Sequence, residues 1–212
     1  MYFFDLDGTL LDSNGLWMDI DRDFLGRFGV EPVPEDYTDY VSHHSFPEAA
    51  AYTRTRYAID MTDEEIMDTW RAMARDAYAE TLELKPDVRD FLQKAQQAGK
   101  RCAILSASIP AMCRMALERH GLLPYFEKIF TTEELGVEKR SPELYRKVEN
   151  LCGLTAEDCI FFEDSPVNCA AAKEAGWRVY GVADDLYTGR EEDFYAACGK
   201  GNYPFSFRNP LP

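Results

Sequence analysis

Five short apolar runs rich in β-forming residues, Tyr2 to Leu6, Cys102 to Leu105, Lys128 to Thr131, Cys159 to Phe162 and Arg178 to Val182, alternate with helical segments along most of the chain. Their length and lack of a polar face read as buried strands. The helical segments Pro86 to Ala98, Pro110 to His120, Pro142 to Cys152 and Pro166 to Ala175 each open at a proline and are closed by Gly99, Gly121, Gly153 and Gly176. Proline in the first turn and glycine just past the last is the asymmetry expected of helix termini. Strand and helix repeated in this order require right-handed crossovers, which build a parallel sheet covered on both faces. The fold class is α/β, a doubly wound parallel sheet.

The alternation breaks once. Between the first and second strands, 68 residues from Asn14 to Thr81 carry helical patterns and no strand. Thr62 with Glu65 forms a capping box, after which Ile66, Trp70, Met73 and Ala77 recur at helical spacing as a core-facing stripe. A loop this long without structure of its own is improbable, so residues 14–81 read as a small all-helical domain inserted into a core of residues 1–13 and 82–212.

With 23 Lys+Arg against 38 Asp+Glu, the net charge of −15 opposes attraction to nucleic acid or anionic lipid, so neither is an expected partner. Residues 14–81 hold 15 acidic and 6 basic side chains, so most of the excess sits in the insert. No apolar stretch reaches the roughly 20 residues of a bilayer span, and Asp5 interrupts the N-terminal run too early for a signal peptide. Cys102, Cys113, Cys152, Cys159, Cys169 and Cys198 lack any C-x-x-C spacing, and several sit in apolar runs. They read as small buried hydrophobes in a reducing compartment, so a cytoplasmic location is expected, with a monomer as the default state.

The first strand leads into Asp5-Leu6-Asp7-Gly8-Thr9-Leu10, with two carboxylates two residues apart at the carboxyl edge of the sheet, where ligands bind in open α/β folds. In an extended segment both acids lie on one face, and Gly8 permits a sharp turn directly after them. Alone, the pattern serves a turn as well as a site. The second strand, however, ends in Ser106, the fourth in Glu163-Asp164, and Lys139 precedes the helix at Ser141-Pro142. These clusters are distant in sequence and converge on one sheet edge.

In order and spacing, these motifs resemble those of the haloacid dehalogenase superfamily, over roughly residues 1 to 185, with residues 14–81 in the place of its helical cap. The likeness is greatest to the subgroup containing phosphoglycolate phosphatase and beta-phosphoglucomutase. It implies a Mg²⁺-dependent phosphatase acting on a small-molecule phosphate ester through an aspartyl-phosphate. Asp5 would be the nucleophile and Asp7 the general acid and base. Mg²⁺ would be held by the Asp5 carboxylate, the Asp7 backbone carbonyl and Asp164, with Glu163 acting through water or shaping the site. Ser106, the Ala107 amide and Lys139 would bind phosphate. As plain residues, Glu163-Asp164 also fit a solvated pair capping the next helix, and Lys139 a surface lysine. Arg140 is a competing cation, and Ser108 reads as an N-cap for the helix containing Pro110.

By the same resemblance, the cap's specificity loop falls near Val41 to Phe46, which contains His43 and His44. Both fit substrate contacts or ordinary solvated surface. Arg54 and Arg56, two apart on a helix, cannot both face the cleft. Trp17 stands where the mutases carry a histidine, and it cannot shuttle a proton. Hydrolysis is therefore expected over a sugar phosphomutase, the alternatives being that mutase or a non-catalytic module binding a phosphorylated ligand. After Val182, the aromatic residues Tyr187, Phe194, Tyr195, Tyr203, Phe205 and Phe207 read as a tail laid over the core.

Overall fold

The computed structural model describes residues 1–42 and 44–212, so His43 lies outside the described residues. Strands β1 (Tyr2–Phe4), β2 (Cys102–Ser106), β3 (Lys128–Thr131), β4 (Ile160–Glu163) and β5 (Arg178–Gly181) form a parallel sheet in the order β3-β2-β1-β4-β5. Between β1 and β2 lie α1 (Asn14–Gly26), α2 (Glu35–Val41), α3 (Phe46–Tyr57), α4 (Asp63–Asp76), a π-helical turn at Ala77–Thr81, and α5 (Val88–Gln97). The remaining helices are α6 (Pro110–Arg119), α7 (Thr132–Leu135), α8 (Pro142–Cys152), α9 (Pro166–Glu174) and α10 (Glu191–Cys198).

β1 is central because all three of its residues are buried and both of its edges are paired, Tyr2 against Cys102 and Ile160, Phe4 against Ile104 and Phe162. Side chains alternate across a strand, so the sheet divides two cores. Tyr2, Phe4, Ile104 and Phe162 face one with Phe91, and Phe3, Ala103, Leu105 and Phe161 face the other with Tyr145 and Trp177. Removing each such aromatic side chain from water contributes on the order of 1.5–3 kcal/mol. The aromatic tail covers both cores, as expected from its composition. Phe205 sits 4.9 Å from the Phe162 ring on one face, and Phe194 is buried on the other.

The sequence patterns locate these elements with local exceptions. β1 stops at Phe4 rather than Leu6, because the Leu10 and Leu11 amides both turn back to the Leu6 carbonyl. The helix expected from Pro86 starts at Val88, since Asp87 adopts the left-handed conformation (φ 64°) and breaks the turn before it. Ser108 does not cap α6. Ile109 occupies the cap position, and the Ser108 amide instead donates to Ser106 Oγ at 2.9 Å. The Thr62–Glu65 capping box forms as expected, but the buried stripe behind it runs through Ile66, Met67, Trp70, Ala74 and Tyr78, with Met73 and Ala77 only half-buried. All six cysteines are free, and all but the half-buried Cys152 are buried.

Two chain crossings join the helical insert to the sheet, and they pair with each other. The Asp12 amide donates to the Glu83 carbonyl at 3.0 Å and the Lys85 amide to the Leu10 carbonyl at 2.9 Å. At the rim, Arg140 meets Glu48 at 2.8 Å and Arg190 meets Asp39 at 2.7 Å, both pairs running from core to insert. Among the described residues, no helix is long and apolar enough to cross a membrane.

Candidate active site

The parallel strands all deliver their C-terminal ends to one edge, and the chain reverses its direction of travel across the sheet between β1 and β4. That edge opens into a cavity of about 150 Å³ lined by Asp5, Asp7, Ser106, Ala107, Lys139, Glu163 and Asp164 from the core, and by residues of the insert opposite. The topology thus brings these core residues, read from separate segments of sequence, to one place.

Lys139 is buried between two carboxylates, its Nζ 2.6 Å from Asp5 Oδ1 and 2.7 Å from Glu163 Oε2. Burial pushes the Asp5 carboxyl up to about 6, and the Lys139 charge acts against that rise. Lys139 itself stays charged, because its two anionic partners outweigh the burial that opposes its charge. Glu163 spends Oε1 on the Ser165 amide at 2.9 Å and the Asn168 side chain at 3.4 Å, so it holds Lys139 in place against a fixed frame.

Asp164 does not cap α9. Thr9 Oγ1 donates to its Oδ1 at 3.0 Å and Asn14 Nδ2 to its Oδ2 at 2.9 Å, which ties β4 to the loop after β1. Burial, then the charges of Glu163 and Asp5, drive its carboxyl well above the ordinary range. Oxygens of Asp5, Glu163 and Asp164 all lie within 4.8 Å of one another. Three buried carboxyl groups cluster beside one ammonium, which bonds two of them, and every donor is oxygen. That set suits a hard divalent cation such as Mg²⁺, which would relieve the crowding of like charge. Gly8 keeps this cluster open: at φ +79° a Cβ there would lie 2.2 Å from Asp164 Oδ2.

Asp7 lines the same cavity but stands outside the three-carboxylate cluster. Its Oδ1 accepts a hydrogen bond from Ser13 Oγ at 2.7 Å and another from the Tyr78 hydroxyl, which in turn accepts from Trp17 Nε1 at 3.0 Å. Burial raises the Asp7 carboxyl, against the pull of the Tyr78 hydrogen bond. Thr9, Ser13, Asn14 and Tyr78 were not identifiable from sequence as site residues. Asn14 directly follows the motif and offered a weak cue. Tyr78 is 71 residues from Asp7, and within its own helix it looks like one more core aromatic.

From the insert, Trp17, Val41, Ser42, His44 and Phe46 reach the cavity wall. The His44 ring stacks on Tyr40 at 3.7 Å, with Nδ1 donating to the Tyr40 carbonyl oxygen at 2.6 Å. Arg54 and Arg56 do not reach the cavity; they pair with Asp63 and Asp36. Arg140 is likewise engaged at the rim by Glu48, so Lys139 is the cation beside Asp5.

The chain is 26% identical over 190 residues to a phosphorylated carbohydrates phosphatase of Thermotoga maritima, covering 88% of this chain and 87% of that protein. It is 27% identical over 178 residues to the GMP/IMP nucleotidase YrfG of Escherichia coli, covering 82% and 78%. In fold it is similar to CbbY from Rhodobacter sphaeroides in complex with xylulose-(1,5)bisphosphate, with a TM-score of 0.78 at 22% identity over 92% and 90% of the two chains. The family model for haloacid dehalogenase-like hydrolases matches residues 2–182. With the converging strand ends and their acidic cluster, that match makes this chain a member of the haloacid dehalogenase-like hydrolase family.

Proposed function

We propose that the chain is a Mg²⁺-dependent phosphatase that hydrolyses a small phosphate monoester through an aspartyl-phosphate on Asp5. The observation that carries this reading is the buried Asp5 carboxylate, held at 2.6 Å by Lys139 in an all-oxygen cluster, with a second protonatable carboxyl, Asp7, in the same cavity. Binding alone needs no such nucleophile and acid pair. Of the two relatives named above, one is a phosphatase and the other a nucleotidase by name.

In this reading, Asp5 attacks phosphorus, forming a bond from its carboxylate oxygen as the ester P–O bond breaks. Asp7 gives its proton to the departing alcohol oxygen. Its raised affinity for a proton suits it to that step, and the Ser13 and Tyr78 hydrogen bonds on Oδ1 leave Oδ2 to carry the proton. Asp7 then takes a proton from water, which attacks the aspartyl-phosphate, releases phosphate and restores Asp5. Lys139 keeps Asp5 oriented, and Ser106 with the Ala107 amide holds phosphate oxygens. Ser108 Oγ, buried on the cavity wall with no hydrogen-bond partner among the described residues, is a further donor for that group. Asp5, Asp164 and the Asp7 carbonyl would hold Mg²⁺, which when bound neutralises phosphate charge that would otherwise repel the attacking carboxylate. The insert acts as a cap whose closure excludes bulk water.

Hydrolysis is favoured over sugar phosphomutation. The indole of Trp17, beside the Tyr78–Asp7 pair, supplies no second base to return phosphate to a sugar. Free, mostly buried cysteines support a reducing, cytoplasmic setting. Purified protein should release phosphate from p-nitrophenyl phosphate with Mg²⁺, and should lose that activity in EDTA or as Asp5→Asn. Failure to hydrolyse any member of a broad phosphomonoester panel would refute the proposal. Transfer between hydroxyls outrunning hydrolysis, followed by phosphorus NMR, would assign the mutase reaction instead.

A further inference from the structure

The cavity has two walls, one from the core motifs and a second from the insert. That second wall is built largely from Trp17, Met18, Val41, Phe46 and Trp70. Trp17, Phe46 and Trp70 form a continuous aromatic surface, with ring centroids 5.6 Å apart for the first pair and 5.3 Å for the second. Set in it is one carboxyl group, Asp21 of α1. Asp21 Oδ1 accepts a hydrogen bond from the Tyr37 hydroxyl at 3.3 Å, and Oδ2 takes none from the described residues.

Charge around this wall is one-sided. Among the described residues lining the cavity, Lys139 is the sole lysine or arginine, and it is already shared between Asp5 and Glu163. Four of the insert's six arginines are ion-paired away from the cavity, Arg54 with Asp63, Arg56 with Asp36, Arg71 with Glu64 and Asp68, and Arg22 with Asp19, and neither Arg27 nor Arg75 lines it. His44, the described histidine of the wall, turns Nδ1 to the Tyr40 carbonyl. A leaving group carrying a second phosphate or a carboxylate would bring a desolvated anion beside Asp21, with no lysine or arginine to meet it. A leaving group carrying a hydrogen-bond donor would instead find an open carboxyl oxygen among aromatic rings, an environment that also attracts an ammonium group.

We propose that Asp21 selects the leaving group, accepting a hydrogen bond from a hydroxyl or ammonium hydrogen on the alcohol portion of the ester and rejecting esters that bear a second anion there. The substrate class is a small monophosphate of a neutral polyol or amino alcohol. The cavity volume of about 150 Å³ is of the size that accommodates one benzene ring, which keeps the alcohol portion short. This inference rests on the phosphatase reading given above.

The test compares kcat/KM, with Mg²⁺ present, for glycerol 3-phosphate and phosphoethanolamine as donor-bearing esters and for phosphoglycolate and fructose 1,6-bisphosphate as anionic ones. Wild-type protein is also assayed on p-nitrophenyl phosphate. The wild type should prefer the better donor-bearing ester to either anionic ester by at least about tenfold. Asp21→Asn should reduce that ratio about tenfold, and Asp21→Lys should invert it by raising turnover of the anionic esters. Should the lysine variant not fold, the isosteric Asp21→Asn decides alone. Phosphoethanolamine ahead of glycerol 3-phosphate would identify an ammonium donor, and the reverse a hydroxyl. Wild-type turnover of p-nitrophenyl phosphate with preference for the anionic esters, or an unchanged ratio in Asp21→Asn, would overturn the selector role alone. No turnover of any ester, p-nitrophenyl phosphate included, would overturn the phosphatase reading and the selector with it.

Discussion

A methyl group on Gly8 would stand 2.2 Å from Oδ2 of Asp164, a residue 156 positions later in the chain. The glycine of the motif therefore serves two ends at once. Its φ of +79° turns the chain, and its missing side chain admits the Asp164 carboxylate to the space beside Asp5. Gly8→Ala should cost about 1–2 kcal/mol of stability from the left-handed backbone alone. Displacement of Asp164 should in addition weaken Mg²⁺ binding. Urea denaturation with and without Mg²⁺ separates the two effects, and a variant whose Mg²⁺-dependent stabilisation equals that of the wild type would contradict the second.

In the proposed mechanism, Asp7 and Tyr78 allow the acid to be distinguished from its support. Loss of a general acid and base costs about 10²- to 10⁴-fold in rate, so Asp7→Asn should fall in that range with the fold intact. Tyr78→Phe removes one of two donors to Asp7 Oδ1 and leaves Ser13 in place. A hydrogen bond to a charged group is worth about 1.5–3 kcal/mol, so kcat should drop roughly 10- to 100-fold. The defect should lie in kcat rather than KM, and steady-state kinetics of the two variants on one ester would show it.

Lys139→Met leaves Asp5, Glu163 and Asp164 clustered with no ammonium among them. Breaking a buried ion pair from one side typically costs about 3–5 kcal/mol. Tm should therefore fall substantially in EDTA. Mg²⁺ should recover more of the loss in this variant than it adds to the wild type, because the cation then neutralises carboxylates that Lys139 otherwise serves. Thermal melts across a Mg²⁺ titration provide the comparison.

The pH dependence of stability should carry a signature of Asp21. Burial pushes its carboxyl from 3.8 up to about 7, and the Tyr37 hydrogen bond offsets only part of that rise. Between those two pH values the folded protein keeps a proton that the unfolded chain has released. The contribution to stability is thus fully present below about pH 4 and lost as pH rises through about 7. Asp21→Asn removes this dependence. Relative to wild type, its denaturation midpoint should be higher at pH 8 than at pH 4, and an identical difference at both would argue against it.

The rim pairs Arg140–Glu48 and Arg190–Asp39 span core and insert and are exposed. Exposed pairs contribute about 0.2–1 kcal/mol each. The double variant Arg140→Ala/Arg190→Ala should favour an open arrangement and raise KM between about two- and tenfold, with little change in Tm. Since salt screens such pairs, the difference from wild type should vanish near 1 M salt.

Much of the core was legible because its signals are local. Apolar runs bounded by proline and glycine gave the five strands and the helices between them, and the same strand ends gave Asp5, Ser106, Glu163 and Asp164 as neighbours. Where a side chain had two competent roles, only the fold decided between them. Asp164 fits both a metal ligand and a cap for the next helix, and Thr9 and Asn14 hold it in the acidic cluster; Ser108 fits a cap, yet the cap position before α6 is Ile109. Arg54 and Arg56, which helical spacing bars from facing the cleft together, are both held away from it by Asp63 and Asp36.

Periodicity and punctuation along the chain determined the doubly wound sheet, the helical insertion after its first strand and the edge at which the acidic motifs gather, because hydrophobic alternation and turn chemistry act over a few residues. Tertiary structure alone decided that Lys139 is shared between Asp5 and Glu163, that Tyr78 meets Asp7, and that Asp21 faces the cavity without a lysine or arginine partner. Each of those depends on elements tens of residues apart arriving at a few ångströms, and hydrogen bonding and desolvation take effect only at that range.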